Sequence, residues 1–378
     1  MTDSSAATVL LVGTSKGAFV FTSDAARAQW TLAGPYFLGS SVNEIRADPR
    51  GGTWLMAAKA GHLGPTVYRR AAGTQEWQEA QRPPAFPKVE GEGGRSVGHV
   101  FCFCAGHASE PGVWYAGSSP AGLFRSQDDG LTWDGVAGFN DGLYPQIKHA
   151  VMEVPGGSIL HSIAVDPRDA AHLYVALSTG GVFESTDRGA NWTPLNAGVA
   201  APFLPEPDTP YGHDPHCLAV HPAQPDRLYQ QNHCGIYRLD RPATRWTRIG
   251  DAMPRDIGDI GFGLALHPRD PDMLWVFPMD GTDVWPRTCL DGRPAVYRSS
   301  DGGATWQRQD CGLPPQHAWF TVKRQALCVD AQDAPNVYFG TGSGELWMGE
   351  KAGANWRQIA AHLPPILSVQ AVSSPPCA

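Results

Sequence analysis

The stretch Ser299-Ser300-Asp301-Gly302-Gly303-Ala304-Thr305-Trp306 decides the fold. It has the form S-x-D-x-G-x-T-W. Two close copies precede it, Ser126-Gln127-Asp128-Asp129-Gly130-Leu131-Thr132-Trp133 and Ser185-Thr186-Asp187-Arg188-Gly189-Ala190-Asn191-Trp192. An Asp in a tight turn accepts hydrogen bonds from backbone N–H groups, and Gly supplies a position of positive φ. The hydroxyl at the head and the Trp at the tail are placed to fix the two flanking strands. Each copy follows a short apolar run: Gly122-Leu123-Phe124, Gly181-Val182-Phe183 or Ala295-Val296-Tyr297. Strand, turn and strand make a β-hairpin.

Weaker copies emerge when these three are aligned, each ending in Trp: Trp30, Trp77, Trp133, Trp192, Trp246, Trp306 and Trp356. These markers stand 47 to 60 residues apart. A period of that length, with β signals throughout, predicts an all-β chain folded as a seven-bladed β-propeller of four-stranded blades. A second motif precedes most turns, an apolar strand, an Asp-Pro or His-Pro turn, and another strand. Ile163-Ala164-Val165-Asp166-Pro167 before Leu173-Tyr174-Val175-Ala176 is one case, and Leu264-Ala265-Leu266-His267-Pro268 before Leu274-Trp275-Val276 is another. The first repeat lacks its opening strand and begins at Val9-Leu10-Leu11-Val12-Gly13, whereas a spare apolar strand, Ile366 to Val372, follows the last repeat. The C-terminal strand is therefore expected to complete blade one, closing the ring and hiding two sheet edges. On this reading residues 1–378 form a single propeller domain.

The S-x-D-x-G-x-T-W stretches resemble the Asp box, or BNR repeat, of sialidases and of several other propellers. The three clean copies make the chain similar to bacterial BNR-repeat, glycosyl-hydrolase-like proteins of the sialidase-like superfamily. Sialidases have six blades against the seven read here, so the resemblance extends to the repeat and not to sialidase activity. Some seven-bladed proteins of this kind are non-catalytic assembly factors, which keeps a binding scaffold open as an alternative.

Composition narrows the classes. The net charge is −8 and no run of Lys or Arg occurs, which argues against a nucleic-acid partner. No apolar run reaches 18 residues, so no membrane-spanning helix is expected. Met1 to Thr8 has neither a basic region nor a long apolar core, and a cytoplasmic protein is expected. The eight cysteines are then expected to be free thiols.

Propeller topology puts the Asp-Pro turns and the S-x-D turns on one face. The long connections 78–98, 134–160, 193–215, 247–260, 307–324 and 278–294 fall on the other, and long loops on a rigid scaffold commonly carry function. Six residues before each turn anchor lie Asn43, His161, His216, Phe262 and Gln325. Four of these five are hydrogen-bonding side chains, and they mark a polar column at the mouth of the central channel. His213, Asp214, His216 and His233 are expected near one another, with His99, Glu153 and His161 at neighbouring strand starts. Neutral imidazoles close together suit a transition metal or an acid–base pair. His216, His233, Asp214, His161 and Glu153 are thus the candidate catalytic residues, with His216, His233 and His161 as candidate ligands of a divalent metal. Asn43, His99, His213, Trp285, Arg287, Arg324 and Gln325 are the candidate substrate contacts. His221 and His267 replace Asp in the turns of the opposite face and are expected to be structural.

The expected function is a glycosyl-hydrolase-like enzyme acting on a small or oligosaccharide substrate, with Asp214 and Glu153 or Asp283 as paired carboxylates. The alternative is a His-liganded, metal-dependent lyase or hydrolase.

Overall fold

A computed structural model describes residues 7–50, 52–89, 94–148, 158–206, 209–281 and 287–373. The chain divides into two compact units, residues 46–248 and residues 1–45 with 249–378. Both are built almost entirely from antiparallel strands.

The first unit contains three sheets of four consecutive strands, each in sequence order. One runs from His99–Ala105 through Trp114–Ser119 and Leu123–Ser126 to Asp134–Gly135. The next runs from Leu160–Val165 through Leu173–Leu177 and Gly181–Ser185 to Thr193–Pro194. The third runs from Pro215–His221 through Gln224–Asn232 and Gly235–Asp240 to Thr247–Arg248. The hairpin Trp54–Ala60 and Gly64–Arg70, with Gln78–Glu79 beside it, opens the unit.

In the second unit, Gly261–Leu266, Leu274–Pro278, Val296–Ser299 and Gln307–Gln309 form a further four-stranded sheet. An eight-stranded sheet joins Val322–Val329, Val337–Thr341, Leu346–Gly349 and Asn355–Ala360 to Ile366–Ser373, Thr8–Thr14, Gly17–Ser23 and Trp30–Tyr36. The C-terminal strand pairs antiparallel with the N-terminal one, Val369 opposite Val12 and Val372 opposite Val9. Its link to the preceding strands is a single parallel bridge between Gln325 and Ser368.

Middle strands are apolar on both faces because both faces are covered. Leu173–Leu177 and Val337–Thr341 are buried at every residue. One cluster packs Tyr115, Leu123 and Cys102 against Leu160, Val175 and Phe183 of the next sheet. Another packs Tyr174 and Val182 against Leu218, Leu228 and Tyr237. Sheets approach closely where a side chain is missing: a Cβ on Gly117 would lie 2.3 Å from the Leu160 carbonyl oxygen. Each fully buried large side chain contributes about 1.5–3 kcal/mol, so the core lies between sheets rather than within any one of them.

All seven repeat tryptophans sit in, or immediately before, an edge strand. Those edge strands are as short as two residues, as at Asp134–Gly135 and Thr193–Pro194. The segment 134–160 was expected to be a loop, but a π-helical turn, Gly138–Leu143, and a helical turn, Tyr144–Ile147, occupy its start. Phe139 and Ile147 are fully buried there, so two apolar anchors wind the segment back onto the sheets. No helix among the described residues is long and apolar enough to cross a membrane.

The three S-x-D turns share one hydrogen-bond arrangement. Asp301 Oδ1 accepts the Thr305 N–H at 2.8 Å, and Oδ2 accepts the Thr305 hydroxyl at 2.6 Å. Ser299 Oγ donates to Asp301 Oδ1 and accepts the Gly303 N–H, both at 2.8 Å. The head hydroxyl thus closes the turn itself. Gly303 has φ 96, and a Cβ there would strike Ile249 as well as strain the backbone. The His-Pro turns are closed in the same way as the Asp-Pro turns. Asp166 Oδ1 accepts the Arg168 N–H at 2.8 Å, and His267 Nδ1 accepts the N–H groups of Arg269 and Asp270 at 3.1 and 2.8 Å.

Hydrogen bonds from the Thr305 side chain lower the Asp301 pKa below the usual aspartate value, and they outweigh a small opposing effect of burial. A carboxyl group with a depressed folded pKa stabilises the protein above its unfolded pKa, and that stability is lost as pH falls through the folded value. Asp301→Ala should cost about 1 kcal/mol at neutral pH. Denaturant unfolding at pH 7 and pH 3 should show the gap between wild type and variant shrinking in acid. An equal gap at both pH values would contradict the turn geometry.

Candidate functional site

The site is carried by the antiparallel pair Pro215–His221 and Gln224–Asn232, with Pro215 opposite Asn232 and Leu218 opposite Gln230. The register slips between Pro215 and Cys217, which puts His216 in a β-bulge. A bulge bends its strand and re-aims the side chain. A similar slip between Leu160 and Ser162 falls at His161. The polar column therefore coincides with irregular pairing at the strand starts.

The His233 N–H donates to the Asp214 carbonyl at 2.9 Å, which draws the turn after the second strand against the start of the first. The Thr179 N–H donates to Asp214 Oδ1 at 3.0 Å. Thr179 is buried and has φ 58, a left-handed conformation unfavourable for a β-branched residue. With Oδ1 engaged, Oδ2 lies 3.4 Å from His216 Nε2 and 3.6 Å from His233 Nδ1. The two imidazole rings stand perpendicular with centroids 5.6 Å apart. The three ligand atoms lie within 4.8 Å of one another. His216 is buried, whereas His233 keeps 32% of its side chain exposed and Asp214 18%. Phe203, 39% exposed, meets the His233 ring edge-on at 6.1 Å.

Asp214, His216 and His233 are thus brought together as the sequence leads one to expect. His161 is adjacent but engaged: Nε2 donates to the Pro215 carbonyl at 2.8 Å, and Nδ1 bonds Ser162 Oγ at 2.9 Å. It ties the strand Leu160–Val165 to the start of the site strand, and the three converging ligand atoms do not include it. His213 is buried and donates through Nε2 to the Thr209 carbonyl at 2.8 Å, bracing the loop before Asp214. His99 opens the strand His99–Ala105 opposite Ser119, its ring 5.8 Å from that of Phe101.

Four other candidates belong to the second unit. Asn43 is half-buried in Ser41–Ala47. Arg287 is buried and donates to the Asp280 carbonyl at 2.9 Å. The Arg324 guanidinium lies 5.3 Å over the Phe262 ring, and Gln325 makes the bridge to Ser368. Glu153, Asp283 and Trp285 lie outside the described residues. Thr179 and Phe203 are site residues that the sequence reading did not single out. The only signal for Phe203 was an aromatic in the proline-rich stretch Pro202-Phe203-Leu204-Pro205, and Thr179 acts through its backbone, which no side-chain pattern reveals.

No family model matches the chain. It is 25% identical over 296 residues to the xyloglucanase Xgh74A of Acetivibrio thermocellus, covering 72% of this chain and 32% of that protein. It is 26% identical over 298 residues to a xyloglucanase of Hypocrea jecorina, covering 72% and 33%. The chain thus spans about a third of the length of these curated relatives. The crystal structure of a GH74 enzyme from Niastella koreensis superposes with a TM-score of 0.61 at 14% identity, covering 92% of this chain and 51% of that one. That likeness shows the fold, a β-propeller. The class defined is a β-propeller fold, in a chain with distant xyloglucanase relatives.

Burial, and then the nearby Lys59 ammonium, lower the His99 pKa below the ordinary histidine value. The unfolded chain then takes up a proton that the folded chain resists, so stability present above the ordinary value is lost as pH falls below it. His99→Gln should flatten the decline in stability between neutral pH and pH 5, measured as denaturant midpoints relative to wild type. A parallel decline in the two proteins would rule out a neutral, half-buried His99.

Proposed function

We propose that the chain is an oligosaccharide-directed hydrolase whose chemistry sits at Asp214, His216 and His233. One observation carries the reading. In a chain similar to xyloglucanases over 72% of its length, a fixed carboxylate faces two imidazoles beside an exposed aromatic ring. Asp214 holds the imidazoles in place, and the half-open His233 moves the proton between water and the leaving sugar oxygen. Phe203 offers an apolar face to a sugar ring. A xyloglucan-type oligosaccharide is the substrate class that the relatives' names support. Glu153 and Asp283 remain the partners proposed for Asp214 in a two-carboxylate route.

We also infer that the strands group into seven four-stranded blades in one domain, with Ile366–Ser373 completing the blade of Thr8–Thr14. The pairing of these two strands supports that closure, as do the seven edge-strand tryptophans.

The test is reducing-sugar release from xyloglucan oligosaccharides by wild type, Asp214→Asn and His233→Ala. Wild type should cleave, and each variant should lose at least ~100-fold. Absence of cleavage by folded wild type, or variants as active as wild type, would sink the reading.

A further inference from the structure

The arrangement of Asp214, His216 and His233 has a property that hydrogen bonding among the three leaves unexplained. Asp214 directs one oxygen, Oδ2, at both imidazoles, and the separations are 3.4 and 3.6 Å. An N–H···O bond to a carboxylate favours about 2.7–2.9 Å, so these contacts are long for direct bonds. These two separations match another length, and the third, between the two nitrogens, is within 4.8 Å. Ligands about 2.0–2.1 Å from a tetrahedral ion are separated from each other by about 3.4 Å. We propose that Asp214 Oδ2, His216 Nε2 and His233 Nδ1 hold one divalent first-row transition ion.

The donor chemistry selects that class. Two imidazole nitrogens and one carboxylate oxygen suit zinc, cobalt, iron or nickel. Calcium and magnesium take oxygen ligands. The supporting groups also fit. The Thr179 N–H holds Asp214 Oδ1, and the His233 N–H is bonded to the Asp214 carbonyl. A metal-ligating carboxylate is commonly held in this way, and such outer contacts fix the ligand's orientation. The bulge at His216 aims its ring at the same point. Three protein ligands leave at least one position for water or substrate, and the exposure of His233 opens that position to solvent.

The inference uses the same three side chains as the hydrolase reading and would replace the proton transfer assigned there to His233: with an ion bound, Asp214, His216 and His233 would all be ligands, and the ion would supply a bound water of lowered pKa.

The test needs no activity. Full-length protein is stripped with a chelator and titrated calorimetrically with Zn²⁺, and Co²⁺ substitution is followed by visible absorption. Wild type should bind one Zn²⁺ per chain and give the d–d bands of low-coordinate Co²⁺. His233→Ala and Asp214→Asn should each weaken Zn²⁺ binding at least ~100-fold and abolish the bands. His216 is buried, so His216→Ala is read only after circular dichroism shows a native spectrum. Absence of Zn²⁺ and Co²⁺ binding by wild type, or unchanged affinity in His233→Ala and Asp214→Asn, would overturn the assignment. Ion binding without saccharide cleavage would retain this site and reject the hydrolase. Cleavage by the stripped, ion-free protein would retain the hydrolase and remove the ion from its reaction.

Discussion

A short sheet that is apolar on both faces is stable only if something covers each face. Four strands of two to nine residues cannot bury their own side chains, and an isolated hairpin is marginal in water. Leu173–Leu177 is buried throughout because Tyr115 and Leu123 lie on one side and Leu218 and Tyr237 on the other. Stacking sheet against sheet is the constraint from which the remaining features follow. It places glycine where backbones nearly touch, as at Gly117. It also confines irregular structure to the strand ends, where a bulge or a long loop does not interrupt the stack.

The same constraint explains why the edge strands are short and the turns are closed by side chains. An edge strand of two residues leaves few unpaired backbone groups to recruit another chain. At Trp133, Trp192, Trp246 and Trp306 the indole N–H bonds a nearby carbonyl, as Trp246 Nε1 does to Leu195 O at 2.8 Å. Turn closure tolerates substitution wherever the lone pair is kept. Histidine therefore serves at position 267 in the role that aspartate fills at position 166, because an imidazole nitrogen and a carboxylate oxygen both accept the same N–H groups.

Much of this was legible in the sequence because it is periodic. The S-x-D-x-G-x-T-W stretches, the Trp spacing and the spare C-terminal strand gave the strand order, and the C-terminal strand indeed pairs with Thr8–Thr14. The polar column was found by counting back from the turn anchors, which placed His161 and His216 at strand starts. Counting could not reveal that both positions are bulges, since each lies at the start of its strand, where no alternation precedes it to show the slip. Nor could it reveal that the nitrogens of His161 are engaged by Ser162 and the Pro215 carbonyl while His216 Nε2 and His233 Nδ1 lie toward a carboxylate. Side-chain identity was readable, and its division between bracing and chemistry was not. The helical turns after Gly138 escaped notice for a related reason, because tertiary anchors, Phe139 and Ile147, decide the conformation there.

The role of Asp214 rests on the difference between its two oxygens. Oδ1 accepts a backbone N–H that a strained Thr179 presents, whereas Oδ2 lies toward the two imidazoles. A carboxylate that only braced the loop would gain more from short bonds to both rings than from separations of 3.4 and 3.6 Å. Instead the backbone bond from His233 to the Asp214 carbonyl fixes the ring at 3.6 Å from Oδ2. Holding a β-branched residue at φ 58 costs about 1–3 kcal/mol. That strain is sustained at the residue whose N–H orients the carboxylate. Strain placed there holds Oδ1 on the backbone and so turns Oδ2 toward the two imidazoles.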